Sequence, residues 1–458
     1  MAEPRIGAEI IGTTQLARTL GLWSIVGLGL GYMTPTVVFD TFGIVSGETG
    51  NVVPAAYLLA LVVMMFTAIS YGRMTVIFPS AGSAYTYTSA TISPNLGFLI
   101  GWAALLDYLL LPLVNALIIR SYMFSFFPEV PQWIWVTVYV AAVTSMVLFS
   151  MTNTSRVNMI LVLFGVTLIG VFLVLAAKSL MAGTGNGTIF STQPLWHAGV
   201  DPSLVLTGAT IVAFSFIGFD AITMYTEEAK DTATVPRAIL LSLLIGGAIF
   251  FTSAWFTQSL FPDLAGFSEE ALENSALPEI AFKVGGHVFK ILLTSAAFAA
   301  TMASGLASHA SVSRLLYVMG RNGQGPAGRF FGYLHPGFQT PSRAIIFVGM
   351  VSMLAIAFNL DFVASLINFG ALIAFTFVNL TVIVYFAYRR REVHSPRQIL
   401  QNIVLPGIGI MLTGLLWIHL SAESTRYGII WFAVGVIVLL SITRFFRRPL
   451  AINMGEGH

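Results

Sequence analysis

Residues 204–228 read LVLTGATIVAFSFIGFDAITMYTEE, an apolar run that is long enough to cross a membrane. A flexible glycine, Gly218, and a carboxylate, Asp220, lie together near the middle of this run, and Glu227 and Glu228 end it. A carboxylate at such a depth is energetically expensive and therefore needs a functional reason. We predict that the helix breaks at this point and that the break, with its acids, binds a small organic cation.

The composition of the whole chain indicates a polytopic membrane protein. Of its 458 residues, 56% are hydrophobic and 9% are charged, whereas about 25% of the residues in a soluble domain are charged. The absence of cysteine excludes disulfides and thiolate metal sites. The sequence contains no phosphate loop, zinc-type histidine spacing or serine nucleophile elbow. We therefore expect no enzyme activity, no cofactor, no metal ion and no nucleic-acid partner.

Twelve apolar runs predict an all-α fold of about twelve membrane-spanning helices surrounded by lipid. The runs lie roughly at 22–46, 52–72, 97–126, 132–150, 158–178, 204–228, 238–260, 286–316, 343–359, 362–388, 402–420 and 427–445. A shorter segment at 84–93, rich in small, hydroxylated and aromatic residues, is predicted to be an interfacial helix on the cytoplasmic side.

Basic residues predict the orientation of these helices. If the N-terminus is cytoplasmic, all but five of the 22 Lys and Arg residues fall on the inner side. The exceptions are Arg120, Lys178, Lys283, Lys290 and Arg426. Because Lys and Arg are enriched in cytoplasmic loops, we predict that both termini are cytoplasmic.

Two spans are interrupted in matching ways. The first contains GLGLGYMTP at 27–35, and the sixth contains Gly218 and Asp220. They lie five spans apart and so have opposite orientations, and broken helices in corresponding positions of two halves indicate a transporter's binding site. Glycines that merely allow close helix packing are the alternative.

Acids within the spans are the candidates for holding a cationic ligand. Asp220 would begin the second half of the broken helix, where it binds the ligand, caps the helix or does both. Asp107, with Tyr108, lies midway along the third span and either faces the pathway or bonds to another helix. We expect no Lys or Arg at the depth of the acids in or near the spans, which are Asp40, Asp107, Asp220, Glu227, Glu228 and Asp361. A carboxyl that exchanges a proton for a cation would provide proton coupling.

Glu227 lies two helical turns beyond Asp220 if this half of the span is α-helical. It would then line the inward path or pair with an inner-loop Arg as a gate, and a solvated helix end is the alternative. Glu228 is expected to point elsewhere and to be more exposed. The candidates for proton coupling or gating are Asp220, Glu227, Glu228 and His309, although His309 also fits a satisfied core histidine.

Aromatic and polar residues near the breaks extend the candidate site. Aromatic faces attract organic ammonium groups, although a single phenylalanine in a membrane protein is more often packing. Hydroxyl and amide side chains could line the cavity. The candidates of these two kinds are Tyr32, Phe214, Phe216, Ser304, Ser308 and Asn368.

Stretches along nearly the whole chain resemble a known superfamily. They include 34–47 (TPTVVFDTFGIVSG), 82–87 (GSAYTY), 105–108 (LLDY), 216–221 (FIGFDA), 303–320 (ASGLASHASVSRLLYVMG) and 367–371 (INFGA). On these residues the chain resembles the amino acid–polyamine–organocation (APC) superfamily and, within it, bacterial putrescine importers.

The resemblance implies secondary active transport in the cytoplasmic (inner) membrane of a bacterium, by a five-plus-five inverted repeat with helices 1 and 6 unwound. It places the substrate at Tyr32 to Pro35, including Thr34, at Asp107, and at Phe214 to Asp220, including Gly218. The implied divisions of the chain are a cytoplasmic segment at 1–20, repeats at 21–180 and 203–390, two further helices at 399–446 and a cytoplasmic tail at 447–458.

Two departures from the superfamily pattern bear on the substrate and the coupling ion. Amino acid transporters of the superfamily usually carry a Gly-x-Gly turn in helix 1 whose amides hold the substrate carboxylate, whereas this chain reads Met33-Thr34-Pro35. Proline removes an amide donor, which argues against a substrate with a carboxylate. Residues 158–177 lack the Lys that serves proton coupling in some members, so sodium coupling and exchange stay open.

We therefore predict an importer of small aliphatic diamines, putrescine first, that works by alternating access and is driven by the proton motive force. Asp107 and Asp220, with Glu227 as a further candidate, would receive the two ammonium ends. The alternative substrates are cationic or neutral amino acids, and a channel or a non-transporting sensor is the alternative of another class. The sequence predicts no oligomeric state.

Overall fold

The structure is a computed structural model that describes residues 18–127, 129–149, 151–268, 272, 275–322, 325–358 and 360–447. The predicted terminal segments at 1–20 and 447–458 lie almost entirely outside these residues. Regular structure in the described part is helical, and one isolated backbone bridge joins Leu20 to Ala229.

The α-helices follow one another along the chain in the order given below. The first half contains α1 (Leu22–Tyr32), α2 (Val37–Asp40), α3 (Phe42–Thr49), α4 (Val53–Ile77), α5 (Ser83–Thr91), α6 (Pro94–Phe126), α7 (Gln132–Phe149) and α8 (Met151–Met181). The second half contains α9 (Pro202–Phe216), α10 (Val235–Leu260), α11 (Leu277–Asn322), α12 (Gly325–Phe331), α13 (Ser342–Ser352), α14 (Leu360–Val382), α15 (Pro396–Ile399), α16 (Leu405–Ile418) and α17 (Ala422–Thr443).

The described residues contain 11 helical segments that are long and apolar enough to cross a membrane. The remaining predicted span, 343–359, corresponds to a shorter apolar helix at Ser342–Ile356. The last carbonyls of a helix lack partners within it, and here the Arg120 guanidinium donates a hydrogen bond of 2.6 Å to the carbonyl of Ala355. The predicted all-α, multi-pass fold of about twelve helices is thus confirmed.

Both predicted helix breaks are present. α1 ends at Tyr32, and helical structure resumes in α2 after Thr34, which has a φ of 49°, and Pro35. α9 ends at Phe216, and Gly218 has a φ of 135°, which residues with a side chain rarely adopt. The first and sixth spans are therefore discontinuous.

A 3₁₀-helix, not an α-helix, forms the second half of the sixth span. It covers Ala221–Glu228, which is 8 residues, although 3₁₀ runs longer than about four residues are uncommon. With about three residues per turn, Glu227 does not return to the face of Asp220 as it would in an α-helix. The predicted alignment of these two acids along one helix face is therefore wrong.

Glycines before the first break serve close packing. A Cβ at Gly31 would lie 2.3 Å from the side-chain oxygen of Asn158 on α8. The same amide donates a hydrogen bond of 2.6 Å to the carbonyl of Gly27. The packing interpretation therefore holds for these two glycines of α1, whereas Gly218 is needed for its backbone conformation.

The segment predicted as an interfacial helix at 84–93 is instead buried, so that prediction is wrong. α5 packs against α6 and α14, and nearly all of its side chains are inaccessible to solvent. Glycines on α6 allow this approach, since a Cβ at Gly97 would lie 1.9 Å from the Ser89 hydroxyl. α5 therefore brings hydroxylated side chains into the bundle.

Candidate functional site

Asp220 lies in the break of the sixth span and is fully buried. Its Oδ1 accepts a hydrogen bond of 3.1 Å from the Gly218 amide, and its Oδ2 accepts one from the Tyr108 hydroxyl on α6. It makes no capping hydrogen bond to the helix that follows, so capping does not account for its presence. The break and α6 together fix the position of the carboxylate.

Gly218 also allows the two broken spans to meet. A Cβ at this position would lie 2.8 Å from Cδ1 of Tyr32 and 3.1 Å from Cγ of Met33. The first and sixth spans therefore touch at their breaks.

Asp107 is the second buried carboxyl beside the breaks. It is 1% exposed, and its Oδ1 has no hydrogen-bond partner. α14 lies against it, since a Cβ at Gly370 would be 3.2 Å from Cβ of Asp107. Asp107 and Asp220 are close enough for their charges to interact, and the buried, unpartnered hydroxyl of Tyr32 lies within electrostatic reach of both.

A hydrogen-bonded polar track connects α6 and α11 to the first break. Asn115 donates hydrogen bonds of 3.0 Å to the Ser304 hydroxyl and 3.5 Å to the Ser308 hydroxyl. Ser304 in turn donates one of 3.1 Å to the carbonyl of Tyr32. Ser304 therefore braces the break, and Ser308 lies one turn further along α11.

Glu227 pairs with a basic residue at the end of α11. Its two carboxylate oxygens accept hydrogen bonds of 3.0 and 3.2 Å from Arg321. The Ser80 hydroxyl and the Ala81 amide donate further bonds to it, at 3.3 and 3.2 Å. The pairing with a basic residue, which the sequence offered as one alternative for Glu227, is thus present, and its carboxylate accepts four hydrogen bonds in all.

Glu228 is buried, which corrects the expectation that it is exposed. The Arg314 guanidinium donates two hydrogen bonds to its carboxylate, and the two side chains are 1% and 3% exposed, respectively. Arg314 also donates to the carbonyl of Ala310 at 2.7 Å. The expectation that no basic residue reaches the acids is therefore wrong for Glu227 and Glu228, because α11 runs alongside the 3₁₀-helix.

Hydrogen bonds join separate segments at both ends of the bundle, and the two carboxyls between them are buried. At the end that carries Arg73, Arg321 and Arg389, which we call the basic end, the backbone of Leu20 pairs with that of Glu228 and Lys230. At the opposite end, Asp40 accepts hydrogen bonds of 3.0 Å from Tyr122 and 2.7 Å from Ser275. Contacts on both sides therefore separate the carboxyl pair from solvent.

Comparison with known proteins identifies the family. A sequence model described as amino acid permease matches residues 20–441 of this chain. The chain belongs to the amino acid permease family. It is a transporter of the APC superfamily, as the resemblance implies, and not an enzyme.

The permease is similar to bacterial and plant transporters along most of its length. It is 44% identical over 437 residues to the low-affinity putrescine importer PlaP of Escherichia coli K12, covering 95% of this chain and 96% of that protein. It is 25% identical over 461 residues to the branched-chain amino acid permease BcaP of Bacillus subtilis, covering 95% of each. It is 27% identical over 394 residues to the vacuolar cationic amino acid transporter 4 of Arabidopsis thaliana, covering 81% of this chain and 64% of that protein.

Two candidate residues of the permease make their contacts within the packed core. The ring of Phe216 contacts Tyr57 and Phe250, with centroids 6.2 and 5.3 Å away. The imidazole of His309 bonds to the carbonyl of Ile345 at 2.9 Å. We therefore assign packing roles to Phe216 and His309. For both residues, a place in the core was the alternative to a role in the site.

Three other candidates differ in how they relate to the breaks. Thr34 forms the turn of the first break, donating from its amide to Gly31 and accepting from Val37. Phe214 is half-buried in the last turn of α9. Asn368 is half-buried on α14, and no hydrogen bond among the described residues joins it to the carboxyls.

The structure adds residues that the sequence did not single out as site residues. Tyr71 on α4 lies within electrostatic reach of Asp107 and Asp220, and its ring contacts Phe219 and Phe375 at 6.0 and 6.1 Å. No local pattern marks Tyr71, because its place in the site depends on how α4 packs. In the part of the chain that the structure describes, no cluster of His, Asp and Glu could hold a metal ion.

Proposed function

We propose that this permease imports small aliphatic diamines, putrescine first, across the bacterial cytoplasmic membrane by alternating access. The observation that carries the proposal is the buried pair of carboxyls, Asp107 and Asp220, where two broken helices meet. Neither carboxyl forms an ion pair with any described basic side chain, although Glu227 and Glu228 both do.

A cationic ligand would compensate the negative charge of the two buried carboxylates. Taking a carboxylate out of water costs several kcal/mol unless an opposite charge and hydrogen bonds compensate it. Oδ1 of Asp107 and the hydroxyl of Tyr32 are buried without partners. An ammonium group, with three donors, would supply both the charge and the missing hydrogen bonds.

The backbone at both breaks argues against a substrate carboxylate. In the first break, the amides of Met33 and Thr34 donate to carbonyls of α1, and Pro35 has no amide hydrogen. In the second break, the amide of Ile217 donates to Phe214 and that of Gly218 to Asp220. These donors are therefore engaged within the protein, which favours a diamine over an amino acid.

The relatives support the same choice. PlaP, the putrescine importer, is 44% identical to this chain, whereas the branched-chain and cationic amino acid transporters are 25% and 27% identical. An amino acid transporter or exchanger of the same fold is the alternative that the experiments below separate.

For the transport cycle, we assign the basic end and both termini to the cytoplasm, with repeats at 21–180 and 203–390. Glu227 and Arg321 then form a cytoplasmic gate rather than a substrate contact. The long 3₁₀-helix between Asp220 and Glu227 would act as the hinge, since such stretches within a helix often mark one. Protonation of the carboxyl pair after substrate release would couple import to the proton motive force, with sodium as the alternative ion.

Glu227→Gln is expected to open the cytoplasmic gate more often. The pair is partly exposed, at 25% for Arg321 and 15% for Glu227, so its loss should cost about 1 kcal/mol and raise the open population about fivefold. The chain has no native cysteine, so a single Thr226→Cys reports opening. Its reaction rate with an impermeant thiol reagent added from the cytoplasmic side measures the change.

Glu279→Gln provides the matched control for the gate variant. Glu279 also forms an ion pair, with Lys283 at 3.4 Å, but far from the basic end. It should leave the labelling rate unchanged. Equal labelling rates in Glu227→Gln and the unaltered background would refute the gate.

Uptake of labelled putrescine into proteoliposomes tests the proposed function. We expect accumulation above the external concentration under an inward proton gradient, and collapse of that accumulation by a protonophore. Accumulation under a sodium gradient alone would show that sodium, and not the proton, is the coupling ion. Absence of putrescine uptake under both gradients, with leucine or arginine transported instead, would refute the diamine assignment.

A further inference from the structure

Three buried hydroxyls next to the carboxyl pair have no hydrogen-bond partner. They belong to Tyr71 on α4 and to Ser83 and Tyr87 on α5, and we call them the hydroxyl cluster. The three residues are 0%, 1% and 0% exposed, respectively, and none of the three oxygens makes a hydrogen bond of normal geometry. The Tyr71 and Ser83 hydroxyls make only a weak contact with each other, as do those of Tyr87 and Thr223. Most buried polar side-chain atoms in proteins are bonded, so a group of three unbonded ones calls for an explanation.

The hydroxyl cluster adjoins Asp220 on the side of α5. Tyr71 lies beside Ser83 and within electrostatic reach of Asp220. Tyr87 lies beside Thr223, whose hydroxyl donates a hydrogen bond of 2.7 Å to the backbone carbonyl of Asp220. The rings of Tyr71 and Tyr87 meet edge to face, with centroids 6.3 Å apart. The cluster is therefore continuous with the carboxyl pair.

On the α11 side of the carboxyls, by contrast, polar side chains are hydrogen-bonded to one another. There, Asn115, Ser304 and the Tyr32 carbonyl are bonded to one another. Ser83 also has a φ of 48°, an unusual backbone conformation for a residue with a side chain, and such strain concentrates at functional sites. A ligand that extends from the carboxyl pair would gain more hydrogen bonds toward α5 than toward Asn115.

We propose that the hydroxyl cluster binds the second ammonium end of a diamine whose first end lies at Asp107 and Asp220. This inference rests on the proposed function. An ammonium group donates three hydrogen bonds, and the cluster offers three hydroxyl oxygens as acceptors. The two carboxylates already balance the double charge of the diamine, so the second end needs no third acid.

The assignment also explains why Glu227 need not reach the substrate. Its carboxylate is occupied by Arg321, Ser80 and Ala81. The hydroxyl cluster lies on α4 and α5 instead, and provides neutral acceptors. Neutral acceptors would hold the second end less tightly than a carboxylate does, which suits an end that must be released on each cycle.

Tyr87→Phe and Ser83→Ala test this assignment, each removing one oxygen while keeping the fold of α5. Dissociation constants for putrescine and n-butylamine, measured by ligand-induced thermal stabilisation of the purified protein, provide the readout. Butylamine has the same carbon chain but a single ammonium. We expect each variant to weaken putrescine about tenfold and to leave butylamine within about twofold of the unaltered protein.

Tyr139→Phe is the matched control. The Tyr139 hydroxyl is also buried and unpartnered, but it lies on α7 against Gly305 and has no carboxyl within electrostatic reach. It should change neither constant. Unchanged putrescine binding in both test variants, or equal weakening of putrescine and butylamine, would overturn the inference while leaving the proposed function intact. Failure of the unaltered protein to bind putrescine at all would instead overturn the proposed function, and this inference with it.

Discussion

Asp220→Asn is expected to abolish putrescine transport, lowering kcat/KM by about 100-fold or more. The variant keeps the shape of the side chain but removes the charge that faces the ammonium group. Losing one partner of a buried charge pair costs about 3–5 kcal/mol. The asparagine amide would also present donors where the Tyr108 hydroxyl and the Gly218 amide already donate. Initial rates of labelled putrescine uptake in proteoliposomes measure the loss.

Asp201→Asn controls for the substitution itself. Asp201 caps α9, the same span, by accepting a hydrogen bond of 2.9 Å from the Ser203 amide, and it is exposed. Its uptake should stay within about twofold of the unaltered protein, because asparagine caps a helix about as well as aspartate. If Asp220→Asn retained both uptake rate and putrescine affinity, the carboxyl pair would not be the substrate site.

Glu228→Gln is expected to destabilise the folded protein by about 3–5 kcal/mol, because it leaves the Arg314 guanidinium buried without its counter-charge. Arg314 is 1% exposed and lies over the ring of Tyr225, with a distance of 5.4 Å to the ring centroid. Because the guanidinium is buried and lies against this ring, water cannot take the place of the missing carboxylate. The thermal unfolding midpoint of the purified protein should fall by about 5 °C or more.

A double variant separates the ion pair from other effects of the substitution. Glu228→Gln combined with Arg314→Met removes both charges, and replacing a buried pair by neutral groups is often close to neutral for stability. Most of the lost thermal stability should therefore return. An unfolding midpoint of Glu228→Gln equal to that of the unaltered protein would contradict the assignment of a buried, structural pair.

Local sequence was sufficient to predict the two helix breaks. Pro35 cannot donate a backbone hydrogen bond, and Gly218 permits a φ of 135°. Asp107 and Asp220 were equally visible, because an acid inside an apolar run stands out in any sequence. These four residues form the centre of the candidate site, and all four could be identified from the sequence.

The sequence offered an inner-loop Arg as one alternative partner of Glu227, but it could not identify the partners of Glu227 and Glu228, because they are distant in the chain. Arg321 lies 94 residues from Glu227, and Arg314 lies 86 residues from Glu228. No local pattern distinguishes a 3₁₀-helix at Ala221–Glu228 from an α-helix of the same residues. The prediction that Glu227 lies on the same helix face as Asp220 was therefore wrong. Tertiary packing of α11 against this segment determines both features.

The hydroxyl cluster is a second feature that could not be predicted from the sequence. The hydroxylated composition of α5 was interpreted as interfacial, since polar side chains usually meet water or lipid headgroups. The helix is buried because α6 and α14 cover it, with Gly97 allowing close contact. Buried hydroxyls on Ser83 and Tyr87 become apparent only when that packing is known.

Displacement of labelled putrescine from the purified permease tests the central claim most directly. Unlabelled putrescine, cadaverine, arginine, lysine and leucine would compete in turn at equilibrium. We predict that the diamines displace the label, that the amino acids do not, and that Asp220→Asn binds no label. Displacement by arginine, lysine or leucine, with little effect from the diamines, would contradict the diamine site and favour an amino acid transporter.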